Sequence, residues 1–221
     1  MELKDKTILL IGATGGIGNA LSEVLKKDNA KIIPISKTSG FDLTKREDVQ
    51  KLVEKIKKEY GQVDILINAA GIGTYKSLTD TTLEEWNYLM SLNLTAPFTL
   101  TKELLPKSLV LTIGSGAGVI PMRGRSAYCA SKFGLRGLML SLAEEYKDTT
   151  PSFCLITLGS TLTNFGPLSV EQKLEKHKNG DAYFTPEWVA DKLLEIIKDD
   201  SREAEYVLYP GDFGFGTWKK P

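Results

Sequence analysis

The sequence is short of the residues that build disulfide frameworks and metal centres. Its 221 residues include two cysteines and one histidine, too few for a disulfide-stapled secreted fold. Cys129 and Cys154 instead suit a reducing compartment. His177 lies among charged residues, where a solvated side chain is much more common than a metal ligand. We therefore expect a cytoplasmic protein and predict no metal site.

An excess charge of one sign and a long apolar run are also missing. Acidic and basic residues balance at 28 each, so net charge recruits neither nucleic acid nor an acidic membrane surface. No apolar run approaches the roughly 18 residues that a membrane-spanning helix needs. There is no internal repeat, low-complexity tract or linker. We expect residues 1–221 to form one domain, with neither nucleic acid nor a membrane as its partner.

What the sequence does contain is an alternation of β-branched runs with segments of helical period. This alternation predicts an α/β doubly wound Rossmann fold, whose mainly parallel sheet of six to seven strands carries helices on both faces. The predicted strands are Thr7–Ile11, Lys31–Ile35, 63–68, Leu109–Ile113, 153–158 and 205–209. The predicted helices are Gly16–Lys27, 45–60, 83–105, 126–146 and Pro186–Lys198.

The connection after the second strand is unusually short. A parallel crossover needs roughly a dozen residues or more, and only a few separate Ile35 from Asp42. A crossover helix does not fit, so residues 41–43 should form a loop or a vestigial edge strand. We therefore predict six good parallel strands.

A glycine-rich turn follows the first strand and opens a helix. Glycines let the backbone turn tightly and approach a pyrophosphate, and the helix start offers free N–H donors with a favourable dipole. The alternative is a turn that only packs strand on helix. The residues expected to bind a dinucleotide here are Gly12, Thr14, Gly15, Gly16, Ile17 and Gly18.

The end of the second strand bears on the choice of dinucleotide. Sites for the unphosphorylated cofactor usually carry an acid there, which binds the ribose 2′-hydroxyl. This chain has Ser36 and Lys37 instead, and a hydroxyl with an ammonium suits a 2′-phosphate. The alternative is an ordinary solvated lysine. We expect NADP(H) to be favoured over NAD(H).

Tyr128 and Lys132 are four residues apart in a predicted helix, and hence on one face. A free tyrosine has a pKa near 10, so acid/base work at neutral pH requires about 4 kcal/mol of stabilisation of its anion. An ammonium about 4 Å away supplies on the order of 4 kcal/mol at an effective dielectric constant near 20. An oxidised nicotinamide ring nearby would add positive potential. The alternative is an ordinary helix face.

Two further polar residues accompany this pair. Ser115 lies just past the strand Leu109–Ile113, at the carboxyl edge where parallel sheets bind ligands, and its hydroxyl can hydrogen-bond a substrate oxygen. Asn93 interrupts an apolar helical run, so a buried amide there needs partners. A structural hydrogen bond explains Asn93 as well as catalysis does.

Taken together, these residues resemble the short-chain dehydrogenase/reductase family from about Lys6 to at least Thr163. Asn93, Ser115, Tyr128 and Lys132 match its catalytic tetrad in order and spacing. Gly15 departs from the pattern, since enzymes for the phosphorylated cofactor often carry a basic residue there. Beyond the turn, the cofactor-binding positions implied are Ser36, Lys37, Asp42, Leu43, Asn68, Ala69, Ala70, Gly71, Tyr128, Lys132, Gly159, Thr161 and Thr163.

The resemblance implies an NAD(P)(H)-dependent oxidoreductase acting on a carbonyl or alcohol, such as a 3-oxoacyl thioester or a small ketone. It implies that Tyr128 is the acid/base, that Lys132 holds the nicotinamide ribose and lowers the Tyr128 pKa, and that Ser115 polarises the substrate oxygen. Asn93 would anchor a water on a proton relay. The alternative function is a catalytically silent NADP(H)-binding regulator with the same fold.

The resemblance also implies a homodimer or homotetramer, assembled through the helices at 83–105 and 126–146. Residues 164–185 are expected to form a lid over the pocket. Arg123 and Arg125 either guide an anionic substrate such as a thioester of coenzyme A or an acyl carrier, or serve solubility. The aromatic segment 213–218 should dock on its own domain or on a neighbouring subunit.

Overall fold

The computed structural model describes residues 1–217 and contains one six-stranded sheet. All five strand pairings are parallel, and the strand order is β2-β1-β3-β4-β5-β6. The predicted fold class is confirmed, and every strand in the sheet is parallel. The strands are β1 Thr7–Ile11, β2 Lys31–Ile35, β3 Ile65–Asn68, β4 Leu109–Ile113, β5 Ser152–Leu158 and β6 Glu205–Leu208.

Helices cover both faces of the sheet, because its central strands are apolar on both sides. In β1, Ile8 and Leu10 belong to one buried cluster with α1 and α7, and Leu9 and Ile11 belong to a second with α2, α4 and α5. No helix in the described residues is long and apolar enough to span a membrane. The helices are α1 Gly16–Lys27, α2 Arg46–Tyr60, α3 Leu83–Met90, α4 Ala96–Leu104, α5 Ser126–Glu145, α6 Val170–Lys178 and α7 Pro186–Lys198.

Strand β2 is an edge of the sheet, and the predicted absence of a crossover helix before Asp42 is confirmed. Residues 37–39 make a single tight turn, and residues 41–43 form a loop rather than a strand. Phe41 and Leu43 pack against the cluster that includes α2. Pro34 sits in the middle of β2, and a proline is tolerated there because an edge strand leaves one side of its backbone unpaired. The missing crossover leaves the loop after β2 open to the cleft described below.

The predicted helix 83–105 is interrupted in its middle. It consists of α3, a π-helical turn at Ser91–Thr95, and α4. Such turns insert one residue into the helix and often occur at functional sites. Here the turn carries Asn93, which is 1% exposed.

The segment after β5 contains a helix that the sequence prediction missed. Ser169 and Gln172 form a reciprocal capping box at the start of α6, which satisfies two free backbone donors. The predicted lid at 164–185 is therefore partly helical, and some of its residues line one wall of the cleft, among them Asn164, Phe165 and Tyr183.

The aromatic tail docks on its own chain over the residues that are described. Phe213 and Phe215 contact Phe184 and Trp188, with ring centroids 4.9–5.8 Å apart. Phe184 is fully buried and stacks on Trp188 at 4.3 Å. Trp218, which belonged to the same prediction, lies outside the described residues.

Candidate active site

One large cleft lies at the carboxyl ends of the strands, with a volume of about 1200 Å³. The chain leaves β1 toward β2 on one side and returns to β3 on the other, and ligands of such sheets bind at this reversal. The loops after β1, β2, β3, β4 and β5 all contribute to its walls. The glycine-rich turn after β1 therefore forms part of the wall of this cleft.

The amino end of α1 faces this cleft and is ready to accept an anion. No side chain in the described residues caps the helix, and its first turn holds no acid. Thr14, Gly15 and Gly16 are exposed along the cleft. Free N–H groups and the helix dipole make such an end a phosphate site. The observed arrangement fits a dinucleotide pyrophosphate.

Two of the glycines are required by close backbone approach. A Cβ on Gly18 would lie 2.1 Å from the carbonyl oxygen of Gly12. A Cβ on Gly16 would lie 2.5 Å from Cγ2 of Thr163. The turn therefore touches the segment after β5, and the two predicted cofactor-binding regions meet.

The far end of the cleft is formed by the loop after β2. Ser36, Lys37, Asp42 and Leu43 all line it. Asp42 Oδ1 accepts hydrogen bonds from the side chain and backbone N–H of Thr44, at 2.6 and 3.0 Å. These bonds lower the pKa of the Asp42 carboxyl, so this carboxylate stays ionised. The exposed Lys37 is free to approach a phosphate.

Ser115, Tyr128 and Lys132 meet in the middle of the cleft. The Ser115 side chain acts on the Tyr128 phenol, lowering its pKa, and its hydroxyl accepts a bond from the backbone N–H of Ala117 at 3.1 Å. Lys132 Nζ donates to the carbonyl oxygen of Ile113 at 3.2 Å. Tyr128 and Lys132 are both 5% exposed, so their charges are poorly solvated.

In the chain alone, burial has the largest effect on the pKa values of Tyr128 and Lys132. It raises the pKa of Tyr128 to about 12, and the nearby Ser115 side chain opposes this rise. It lowers the pKa of Lys132 to about 8. In the chain alone the Tyr128 pKa is therefore raised, and its lowering by Lys132 stays a prediction for the cofactor-bound protein. The largest cause of the rise is the loss of solvation of the phenolate.

Replacing Lys132 with methionine is expected to stabilise the cofactor-free protein by about 2 kcal/mol at pH 7. The folded chain holds the Lys132 pKa at about 8, below its ordinary 10.5, a difference of about 3 kcal/mol. The lost hydrogen bond to Ile113 subtracts about 1 kcal/mol. The folded state binds fewer protons than the unfolded state between these values, so the penalty is complete below pH 8 and disappears as the pH rises through 10.5.

Urea unfolding of both proteins at pH 7 and pH 10.5 measures this effect. The advantage of the Lys132→Met protein should shrink at the higher pH. An advantage that is absent at pH 7, or equal at both pH values, would contradict the assigned burial penalty.

The two predicted asparagines lie behind the wall of the cleft rather than in it. Asn93 Nδ2 donates to the Ile72 carbonyl and to Ser131 Oγ, at 2.8 and 3.0 Å, and its Oδ1 accepts from the Ile72 N–H at 2.9 Å. Asn68 Nδ2 donates to Thr112 Oγ1 at 3.2 Å, and Asn68 Oδ1 has no partner among the described residues. Asn93 thus fixes the backbone after β3, whereas Asn68 links its own side chain to that of Thr112 on the neighbouring strand.

The other predicted residues all line the cleft. These are Gly12, Thr14, Gly15, Gly16, Ile17, Gly18, Ser36, Lys37, Asp42, Leu43, Ala69, Ala70, Gly71, Ser115, Tyr128, Lys132, Gly159, Thr161 and Thr163. Gly71 lies close to two of the tetrad residues, because a Cβ there would lie 3.4 Å from Asn93 Oδ1 and 3.6 Å from Lys132 Nζ. The structure therefore brings together residues far apart in the chain.

One wall beyond Tyr128 combines Tyr75 and Met122, which the sequence did not indicate, with Arg125 and residues of the predicted lid. We call Tyr75, Met122, Arg125, Phe165 and Lys173 the distal wall. The Tyr75 ring lies 4.7 Å from the Arg125 guanidinium, and the Phe165 ring lies 6.0 Å from that of Tyr128. Of the two arginines considered, Arg125 lines the cleft, whereas Arg123 is exposed and does not.

Lys173 ties the lid to the segment that follows β5. Its Nζ donates to the carbonyl oxygens of Thr163 and Phe165, at 2.6 and 2.5 Å, and burial lowers its pKa. Nothing in the charged sequence around α6 distinguishes this lysine from its neighbours. Thr161 is held separately by a β-bridge to Phe184.

Comparison with known proteins identifies a family for most of the chain. The short chain dehydrogenase family model matches residues 6–173. An uncharacterised oxidoreductase from Staphylococcus saprophyticus is 27% identical over 94% of this chain and 93% of its own. The 3-oxoacyl-[acyl-carrier-protein] reductase of Escherichia coli is 32% identical over 66% of this chain and 69% of its own.

Solved structures share the fold at lower identity. A short chain dehydrogenase from Burkholderia cenocepacia, in complex with NADP, has a TM-score of 0.81 at 22% identity and covers 94% of this chain and 97% of its own. A 4-hydroxyisoleucine dehydrogenase complexed with NADH has a TM-score of 0.80 at 23% identity, with coverages of 93% and 98%. Neighbours of this fold thus bind either nicotinamide dinucleotide.

Proposed function

Because the chain belongs to the short-chain dehydrogenase/reductase family, we propose that it transfers hydride between a nicotinamide cofactor and a carbonyl or alcohol, with Tyr128 as its acid/base. The observation that carries this proposal is that Ser115, Tyr128 and the buried Lys132 line the cleft together, at the carboxyl ends of the strands. Two hydroxyls converging there can hold one substrate oxygen while charge develops on it.

Each residue has a separate task in this mechanism. When bound, the dinucleotide supplies or accepts the hydride at the substrate carbon. During reduction Tyr128 gives its proton to the substrate oxygen, and during oxidation it removes the proton from the alcohol. Ser115 orients that oxygen. Lys132 would hold the nicotinamide ribose, and the positive charges of Lys132 and an oxidised ring would then oppose the effect of burial on the Tyr128 pKa.

Asn93 is a positioning residue in this scheme. Both amide N–H groups and Oδ1 of Asn93 bond to Ile72 and Ser131, which holds the loop after β3 against the helix that carries Tyr128 and Lys132. The water on a proton relay that the family resemblance implies would have to bind elsewhere, such as on the backbone of the π-helical turn.

The proposal extends to a preference for NADP(H) over NAD(H). Ser36 and Lys37 line the end of the cleft, and no acid ends β2. Lys37→Ala is expected to weaken NADPH binding about tenfold and to leave NADH binding within about twofold, because a charge-assisted hydrogen bond to phosphate contributes about 1.5–3 kcal/mol. Titration of both cofactors by nicotinamide fluorescence measures the ratio. An unchanged ratio would refute the role of Lys37.

We also propose a homodimer or homotetramer, formed through α3, α4 and α5. Large apolar side chains of these helices are exposed in the single chain, including Leu83, Trp86, Phe98 and Phe133. The opposite side of α5 is buried, with Leu135 and Met139 in the core. A helix that is apolar on both sides gains stability by burying the second side against a partner.

Reduction of a panel of carbonyl compounds tests the proposed function. Small ketones and a 3-oxoacyl thioester should be offered with each reduced cofactor, and loss of absorbance at the nicotinamide band should be followed. Turnover supports the enzyme. Tight cofactor binding without turnover of any carbonyl supports the silent regulatory protein instead.

A further inference from the structure

The charges along the cleft are distributed unevenly. Two acids line it, Asp42 and Asp48, and both belong to the end near β2, where the backbone N–H of Asp42 donates to Asp48 Oδ2 at 3.2 Å. The distal wall carries Arg125 and Lys173 and no acid among the described residues. The side of the cleft beyond Tyr128 is therefore positively charged.

Arg125 has N–H donors that remain available to bind a ligand. Its Nη1 donates to the sulfur of Met122 at 3.4 Å, a weak acceptor. The rest of the guanidinium lies over the Tyr75 ring, and no carboxylate of the described residues comes within 4.0 Å of it. Five N–H donors in a planar fork match the two oxygens of a carboxylate.

Lys173 adds positive charge to the distal wall, although its ammonium group does not itself bind the ligand. Its ammonium is committed to two backbone carbonyls, and it too lacks a carboxylate partner within the described residues. A buried cation without a counterion favours an anion nearby. The distal wall thus combines one fixed charge with one free, planar donor.

We propose that the carbonyl substrate carries a carboxylate, which the Arg125 guanidinium binds while Ser115 and Tyr128 hold the carbonyl oxygen. This inference rests on the proposed function. The apolar members of the distal wall, Met122 and Phe165, would contact the carbon chain between the two polar groups. The substrate class is an oxo acid, or the corresponding hydroxy acid in the reverse direction.

The position of Arg125 further limits the substrate to a short one. Arg125 immediately precedes α5, three residues before Tyr128, and both residues line the same cleft. The two groups share one environment, since the charge of Arg125 acts on the Tyr128 phenol. Carboxylate and carbonyl are therefore separated by a few carbon atoms.

Matched substrates test the proposal. Levulinate and acetoacetate should be compared with their methyl esters, which keep the carbonyl and lose the charge. We expect kcat/KM for each acid to exceed that for its ester by at least tenfold. Arg125→Gln should lower kcat/KM for the acids by about 10- to 100-fold and change that for the esters by less than about threefold. Arg125→Lys, which keeps the charge but not the fork, should fall between.

Two controls make the result specific to the distal wall. Arg123→Gln removes an exposed arginine two residues away and should change neither substrate class. Acetoacetyl-coenzyme A separates the two sources of negative charge. If this thioester is turned over faster than acetoacetate and loses its advantage in Arg125→Gln, the group recognised is a carrier phosphate, and the oxo acid proposal is overturned.

Failure of this inference is distinguishable from failure of the proposed function. Turnover of esters and acids at equal rates, or an equal loss on both in Arg125→Gln, overturns the carboxylate site and leaves the oxidoreductase intact. If no carbonyl is turned over, binding decides. Calorimetric titration of the cofactor-loaded protein with glutarate and with glutaramide should then show binding of the diacid only, abolished in Arg125→Gln. Absence of glutarate binding to the unsubstituted protein overturns the inference.

Discussion

Tyr128→Phe is expected to lower kcat for carbonyl reduction by about 1,000-fold, while the dissociation constant of the reduced cofactor changes less than about threefold. A positioned general acid contributes about 10²- to 10⁴-fold, and this substitution removes the proton but keeps the ring. The ring packs 6.0 Å from Phe165, so the wall of the cleft should survive. Steady-state kinetics with a saturating ketone and cofactor titration by fluorescence measure the two quantities.

Tyr146→Phe is the matched control for that experiment. Tyr146 ends the same helix and packs against Phe153 at 5.1 Å, and it does not line the cleft. Loss of its hydroxyl should leave kcat unchanged. A Tyr128→Phe protein that retains more than about a tenth of the original kcat would remove Tyr128 from the chemistry, even if Ser115→Ala were inactive.

Gly18→Ala is expected to weaken cofactor binding by at least about tenfold and to destabilise the protein by about 1–3 kcal/mol. The added Cβ would lie 2.1 Å from the Gly12 oxygen and 2.9 Å from its carbonyl carbon. Both atoms belong to the backbone, so the turn itself must move. Its N–H groups then no longer point at the pyrophosphate. Urea unfolding and calorimetric titration with NADPH and NADH measure the two effects.

Gly137→Ala shows what the same change does where there is room. Gly137 is exposed within α5, and nothing lies within 4 Å of a Cβ built there. Gly137 lies one helical turn after Phe133, on the side of α5 proposed to contact a partner, so the two variants are compared by cofactor affinity, which Gly137→Ala should leave unchanged. Near-native cofactor affinity in Gly18→Ala would show that the turn does not hold the dinucleotide.

The order of the elements could be predicted because local patterns dominate it. Strands buried on both faces are short, continuous apolar runs, and β1, β4 and β5 lie within a residue of their predicted bounds. The stripe of Val49, Leu52, Val53 and Ile56 is fully buried on α2. The absence of a crossover helix after β2 followed from chain length alone, since too few residues separate Ile35 from Asp42. These features depend on spacing, which a sequence records directly.

The lid and the distal wall could not be predicted in the same way, because both depend on tertiary contacts. A local signal for α6 did exist in Ser169 and Gln172, the residues of its capping box, but the charged helix lacks a continuous apolar stripe. The burial of Lys173 has no sequence signature, because it arises from the loop carbonyls of Thr163 and Phe165. Arg125 could be singled out as a candidate, whereas its contact with Tyr75 could not.

The pKa values of Tyr128 and Lys132 show most clearly which properties follow from the sequence and which require the structure. Spacing placed Tyr128 and Lys132 on one helix face, and Coulomb's law alone then favours an acidic phenol. The structure adds nearly complete burial of both groups, which raises the Tyr128 pKa to about 12 and lowers the Lys132 pKa to about 8. Desolvation depends on the surrounding walls, and these come from β4, α5 and the lid together.

Transfer of deuterium from C4-deuterated reduced cofactor to the product is the most direct test of the central claim. Incubation with a ketone that supports turnover should yield an alcohol with one deuterium on the carbinol carbon, detected by mass spectrometry, and Tyr128→Phe should yield almost none. Cofactor that binds tightly yet transfers no label to any carbonyl, or label that appears equally with Tyr128→Phe, would contradict the account.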